Sequence, residues 1–104
     1  MEKILVTGAD GQLGKSIQKL SRKYSTLKFV FKNSKQLDIT DSESVNSIFK
    51  KEDFSFCINC AAYTNVEQAE KTPEIAYKIN AEAVKNLALA CKKNNIFLIH
   101  ISTH

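Results

Sequence analysis

A chain of 104 residues has room for one small domain with one modest core. Its 43% hydrophobic and 25% charged content, with only three glycines and one proline, excludes a linker-like or disordered segment, and no run of about eighteen apolar residues exists to cross a membrane as a helix. The net charge of +4 comes from scattered lysines, with Lys50-Lys51 and Lys92-Lys93 the only adjacent lysine pairs and no aromatic interleaving, so no nucleic-acid surface is expected.

Lys3 to Val6 reads as a strand, and Gln12 to about Arg22 as a helix carrying Leu13, Ile17, Leu20 and Tyr24 at helical spacing. Leu27 to Phe31 is a second apolar strand. After a turn over Asn33 to Lys35, a very short third strand is expected near Gln36 and Leu37. Thr40 with Glu43 three residues on forms a capping box for a short helix over about 41 to 51, with Val45, Ile48 and Phe49 on one face.

Phe54 to Cys60 is a continuous apolar run too short for a helix, hence a fourth strand covered on both faces. Ala61 to Lys71 reads as a loop with a short helical turn. Thr72-Pro73-Glu74 then supplies an N-cap, a proline at the first helical position and an acid in the first turn. The helix presents Ala76, Ile79, Ala83, Val84, Leu87 and Cys91 on one face and ends near Asn94-Asn95. Ile96 to Ile101 is a fifth strand.

Strands alternating with helices imply an α/β fold, a doubly wound parallel sheet of about five strands ordered 3-2-1-4-5. Ligands of such sheets bind beyond the carboxyl ends of the strands, near the switch point. Cys57 and Cys60 have C-x-x-C spacing, but residues three apart in a strand point to opposite faces, so they are expected to be inert core residues and no metal site is assigned. An odd cysteine count and a start that enters a strand without a basic-then-apolar leader fit a cytoplasmic protein.

All three glycines lie in Gly8-Ala9-Asp10-Gly11-Gln12-Leu13-Gly14, between the first strand and the first helix. Gly8 allows a tight turn, Gly11 removes a Cβ where a pyrophosphate must approach, and Gly14 lets helix and strand pack closely. The helix N-terminus then offers N–H groups to an anion. A dinucleotide would therefore meet Gly8, Asp10, Gly11, Gln12, Leu13 and Gly14.

The end of the second strand carries Lys32 and Asn33, with Lys35 near, where a site selective for NADH usually has an acid. This leans towards NADPH, or towards indifference between NADPH and NADH. Asp38 is placed to hydrogen-bond an adenine amino group while Ile39 covers the ring. Cys60, Ala61, Ala62 and Tyr63 follow the fourth strand, where small residues permit a nicotinamide ribose to approach, and Thr64 and Asn65 add polar groups at the crevice mouth. Ser102 and Thr103 follow the fifth strand. His100 reads as a packed or hydrogen-bonded strand residue, Asn80 as structural, and Tyr24-x-x-x-Lys28 as a chance match at the wrong edge of the sheet.

Taken in order, T-G-A-x-G-Q-L-G, L-D-I-T-D, N-x-A-A-Y-T-x-V-x-x-A-E, I-N-A and I-x-I-S-T resemble the N-terminal part of the dTDP-4-dehydrorhamnose reductase family of extended short-chain dehydrogenases/reductases. The resemblance runs over the whole chain and implies a Rossmann-type NAD(P)-binding domain over residues 1–104, without a substrate domain. It implies reduction of a 4-keto sugar nucleotide, dTDP-6-deoxy-L-lyxo-4-hexulose, to dTDP-L-rhamnose with NADPH or NADH. Thr103 matches the family's catalytic threonine, with Thr64 and Thr103 towards the substrate and Ser102 towards the cofactor. The family's Y-x-x-x-K, whose tyrosine donates a proton to the forming alkoxide, has no counterpart after Thr103, where only His104 follows.

Such a chain is expected to bind cofactor with little turnover, and to self-associate through the exposed edge of the last strand. Another sugar-nucleotide reductase or epimerase shares the individual motifs. A non-catalytic module similar to the regulatory beta subunit of methionine adenosyltransferase shares the architecture.

Overall fold

The computed structural model describes residues 2–60 and 73–101. In chain order these form β1 (Glu2–Thr7), α1 (Gln12–Ser21), β2 (Leu27–Lys32), α2 (Ser42–Lys51), β3 (Phe56–Asn59), α3 (Pro73–Lys93) and β4 (Phe97–His100). All strand pairs are parallel, and the sheet order is β2-β1-β3-β4. The chain steps from β1 to one side and then to the other, so the switch point lies between β1 and β3. This is the expected Rossmann-like parallel α/β arrangement, with no helix among the described residues long and apolar enough to cross a membrane.

Pairing registers place Ile4 beside Phe29 and Phe56, and Phe56 beside Phe97. The period of two then puts Leu5, Val30, Cys57 and Leu98 on one face of the sheet and Ile4, Val6, Phe29, Phe31, Phe56, Ile58, Phe97 and Ile99 on the other. The first face is closed. Leu5, Cys57, Val45, Phe49, Ala83, Leu87 and Cys91 form one buried cluster that joins sheet, α2 and α3, with Phe54 packing edge-on against Phe49 at 6.1 Å.

Among the described residues, the second face has only α1 over part of it. Leu13 and Ile17 are half-buried, whereas Leu20 and Tyr24 are about half exposed and Tyr24 lies beyond the end of the helix.

Four strands are present among the described residues where five were expected, and the missing one is the short third. Its backbone donors are already committed. The Asn33 side-chain Oδ1 accepts from the N–H groups of Lys35 and Gln36, both at 3.0 Å, and the Asn33 carbonyl accepts from Gln36 and Leu37. The Gln36 side chain closes the turn by accepting from the Asn33 N–H at 3.0 Å. The N–H groups of Lys35, Gln36 and Leu37 are thus spent within the turn and cannot donate to β2, although Leu37 still reaches the core.

The start of α2 also differs from the capping box expected at Thr40. Asp41 is the N-cap, its side chain accepting from the Glu43 N–H at 3.0 Å. Thr40 instead donates both its N–H and its hydroxyl to the Asp38 carboxylate, at 3.0 and 2.6 Å. An aspartate one residue nearer the helix wins because Thr40 is already held in the Asp38 turn.

Cys57, Cys60 and Cys91 are free thiols; Cys57 and Cys91 are buried in the core, whereas Cys60, expected there too, is only partly buried. The neighbouring Cys91 thiol, with burial added, pushes Cys57 above the ordinary thiol range. Burial likewise pushes up Cys60. Neither is an available thiolate at neutral pH.

Candidate functional site

The loop after β1 is built as the glycine spacing demands. Gly8 takes φ 64°, a left-handed conformation that favours glycine, and the Gly11 N–H returns to the Gly8 carbonyl at 3.2 Å to close the turn. Ala9, nearly fully buried, donates its N–H to the Lys32 carbonyl at 3.1 Å and accepts from the Gln18 side chain at 3.0 Å. These two bonds fix the loop to the end of β2 and to the second turn of α1.

Gly14 and Gly11 are glycines for different reasons. A Cβ at Gly14 would lie 2.6 Å from Ala9 Cα and 2.7 Å from both the Ala9 and Gly8 carbonyl oxygens, so α1 can approach the loop only without a side chain there. A Cβ at Gly11 would meet only the Gly8 carbonyl oxygen, at an ordinary 3.5 Å. The protein itself has room at Gly11. The missing side chain leaves a bare backbone in front of the N-terminus of α1, which has no side-chain cap and no acid in its first turn. That combination suits an anion, and Asp10, Gly11 and Gln12 are exposed there with Leu13 half-buried behind them.

At the end of β2, Lys32 and Asn33 are partly buried and no carboxylate occurs from Lys32 to Leu37. The Asn33 side-chain oxygen is committed to its own turn, which leaves Lys32, the exposed Lys35 and the Asn33 amide nitrogen as donors at this strand end. A shallow groove of about 540 Å³ beside it is lined by Lys32, Gln36, Ser44, Ser47, Ile48, Lys51 and Glu52. None of these belongs to the glycine loop, so the groove is not where the phosphates would rest. Asp38 is exposed, but Ile39 is 7% exposed and packs in the core, so the side chain expected to cover an adenine ring is directed inward instead.

Cys60, partly buried, directly follows β3. Ala61, Ala62, Tyr63, Thr64, Asn65, Ser102, Thr103 and His104 lie outside the described residues, as does the side chain of Asn80. Tyr24 lies between α1 and β2 and Lys28 lies in β2, across the sheet from β4, which agrees with a chance Y-x-x-x-K match. No group of three or more metal-ligating side chains occurs among the described residues.

Composition and spacing alone miss one feature of this rim. Thr7, Asn59 and His100 are register partners across β1, β3 and β4, and their side chains are joined. The Thr7 hydroxyl donates to Asn59 Oδ1 at 2.6 Å, and Asn59 Nδ2 lies 2.9 Å from His100 Nδ1. Strand alternation does point Asn59 into the core, and a buried amide requires partners; that was the available signal.

The model of one family, described as the RmlD substrate binding domain, matches residues 1–104. A dTDP-4-dehydrorhamnose reductase of Aggregatibacter actinomycetemcomitans is 41% identical over 99% of this chain and 35% of its own length. Crystal structures of a dTDP-4-dehydrorhamnose reductase from Clostridium acetobutylicum and of one from Bacillus anthracis, the latter in complex with NADP, align with TM-scores of 0.83 and 0.86 at 42% and 37% identity. They cover 96% and 98% of this chain and 35% and 36% of the solved chains, so it spans about a third of the length of these relatives. The chain belongs to the RmlD substrate binding domain family.

Proposed function

We propose that the chain is the NAD(P)-binding Rossmann domain of a dTDP-4-dehydrorhamnose reductase, and that its glycine loop holds the pyrophosphate of NADPH or NADH. The observation that carries this is the asymmetry of the glycines: Gly14 is required by the protein's own packing, whereas a Cβ at Gly11 would make only an ordinary contact with the Gly8 carbonyl oxygen. A relative of the same name was solved with NADP.

In this reading the N–H groups at the start of α1 bind the pyrophosphate, Lys32 faces the 2′-phosphate of NADPH, and the exposed Asp38 accepts from the adenine amino group. Cys60 to Tyr63, with Ser102, border the nicotinamide end. When bound, the cofactor supplies a hydride to the 4-keto carbon of the sugar nucleotide. Thr103 holds the carbonyl oxygen by hydrogen bond and Thr64 borders the sugar.

The 104-residue chain then binds cofactor. It also self-associates through β4, whose outer edge has no strand partner among the described residues. The test is titration of NADPH and NADH against the purified chain by nicotinamide fluorescence, with Gly11→Ala as control. Saturable binding abolished by that substitution supports the reading. No binding of either cofactor, or binding indifferent to the substitution, rejects it.

A further inference from the structure

Thr7, Asn59 and His100 have no role assigned so far, yet their row crosses the sheet at the rim where the proposed site stands. Thr7 and Asn59 are both 0% exposed. The next residues along the three strands are Gly8, which opens the glycine loop, then Cys60 and Ile101, which lead towards the residues assigned above to the nicotinamide end.

Backbone pairing at this rim is long. Cys60 N–H reaches the Thr7 carbonyl at 3.2 Å and Ile101 N–H the Asn59 carbonyl at 3.3 Å. At the opposite end of the same strands, Ser55 N–H reaches the Lys3 carbonyl at 2.9 Å and Phe97 N–H the Ser55 carbonyl at 3.0 Å. Hydrogen bonds weaken as they lengthen. The side-chain row adds two shorter bonds, 2.6 and 2.9 Å, where the ladder loosens.

The row also has a direction. A carboxamide is an acceptor at one end and a donor at the other. With Asn59 Oδ1 accepting from the Thr7 hydroxyl, the group facing His100 is the amide nitrogen, a donor. His100 Nδ1 must therefore accept, which places the ring proton on Nε2.

We propose that His100 is a positioning residue of the cofactor site: by accepting at Nδ1 it fixes the orientation of the Asn59 amide, and through Asn59 and Thr7 it holds the glycine loop and the chain leaving β4 at one height. The proposal rests on the dinucleotide reading above for its effect on binding, but not for the hydrogen-bond pattern itself.

Two measurements on the 104-residue chain test it. In the His104→Ala variant only one imidazole remains, and long-range proton–nitrogen NMR at mildly alkaline pH is expected to show it as the Nε2–H tautomer with a hydrogen-bonded Nδ1. A ring protonated at Nδ1, or averaging between tautomers, overturns the lock. In NADPH titrations, His100→Ala is expected to weaken binding about three- to tenfold, the loss of one hydrogen bond. His100→Asn, whose side-chain oxygen can accept near the position of Nδ1, is expected to restore it to within about twofold.

Unchanged affinity in His100→Ala, or no recovery in His100→Asn, overturns the positioning role. If the unsubstituted chain binds no NADPH, the dinucleotide reading fails on its own. The tautomer then decides whether the lock exists.

Discussion

The two faces of this sheet are built from the same four strands with the same alternation, and they have opposite fates. Under α2 and α3, inward side chains such as Leu5, Cys57 and Leu87 are completely buried. On the other face Ile4 and Val6 are buried at the centre, but Phe97 is 64% exposed at the β4 edge and Leu20 on α1 is 51% exposed. The open side carries more apolar strand residues than the closed one; what it lacks among the described residues is cover. The lesson is that stability of these residues resides on one face, while the glycine loop sits on the rim that both faces share.

The sharpest way to break this comparison is to cut into the closed face. Leu87, fully buried between α3 and the sheet, should cost about 2–5 kcal/mol when replaced by alanine. Urea unfolding followed by circular dichroism measures it. A loss below about 1 kcal/mol would mean that the α2/α3 face does not carry the fold.

Next in size is the rim. Gly14→Ala forces a Cβ to within 2.6 Å of Ala9 Cα, a backbone contact that cannot yield by a rotamer change, so about 1–3 kcal/mol of stability should be lost. Gly11→Ala should cost at most about 1 kcal/mol, as for an alanine at a helix N-cap, while removing cofactor binding. Thermal melts with and without NADPH separate the two. Equal destabilisation of both variants would show that Gly11, too, is glycine for the protein's own packing.

Much of this was legible in the sequence because it is local. The glycine loop, the apolar runs of β1, β2 and β3, and Pro73 at the start of α3 are each signalled within a few residues. The third strand failed for a reason of the same scale: Asn33 and Gln36 close a turn on themselves, and propensity could not weigh that turn against a weak strand. Ile39 belongs to the buried cluster that Val45 and Phe49 of the following helix help to build, a burial that its own neighbours in sequence did not signal. The row from Thr7 to His100 joins residues 52 and 41 positions apart, so only the strand register brings it together.

A smaller effect bears on which cofactor the rim prefers. Lys32→Glu reverses the charge at the end of β2, where Lys32 is partly exposed, and solvent screening keeps the consequence modest. A shift of about tenfold in the NADPH to NADH affinity ratio, towards NADH, is expected, with stability nearly unchanged. Parallel titrations with the two cofactors read it directly. An unaltered ratio would remove Lys32 from the 2′-phosphate.

On the open face a small change in stability is expected, and it completes the contrast with Leu87. Phe97 touches Phe56 edge-on with ring centroids 6.0 Å apart but remains mostly exposed, so Phe97→Lys gives up one aromatic pair, at most about 1 kcal/mol. The same substitution puts a charge on an edge strand, the usual obstacle to edge-to-edge pairing. Sedimentation should therefore show concentration-dependent association in the unsubstituted chain and a smaller species in Phe97→Lys. If the unsubstituted chain sediments as a monomer at every concentration, self-association through β4 is wrong. If Phe97→Lys instead unfolds as readily as Leu87→Ala, the face is closed in solution and the two sides of the sheet are equivalent after all.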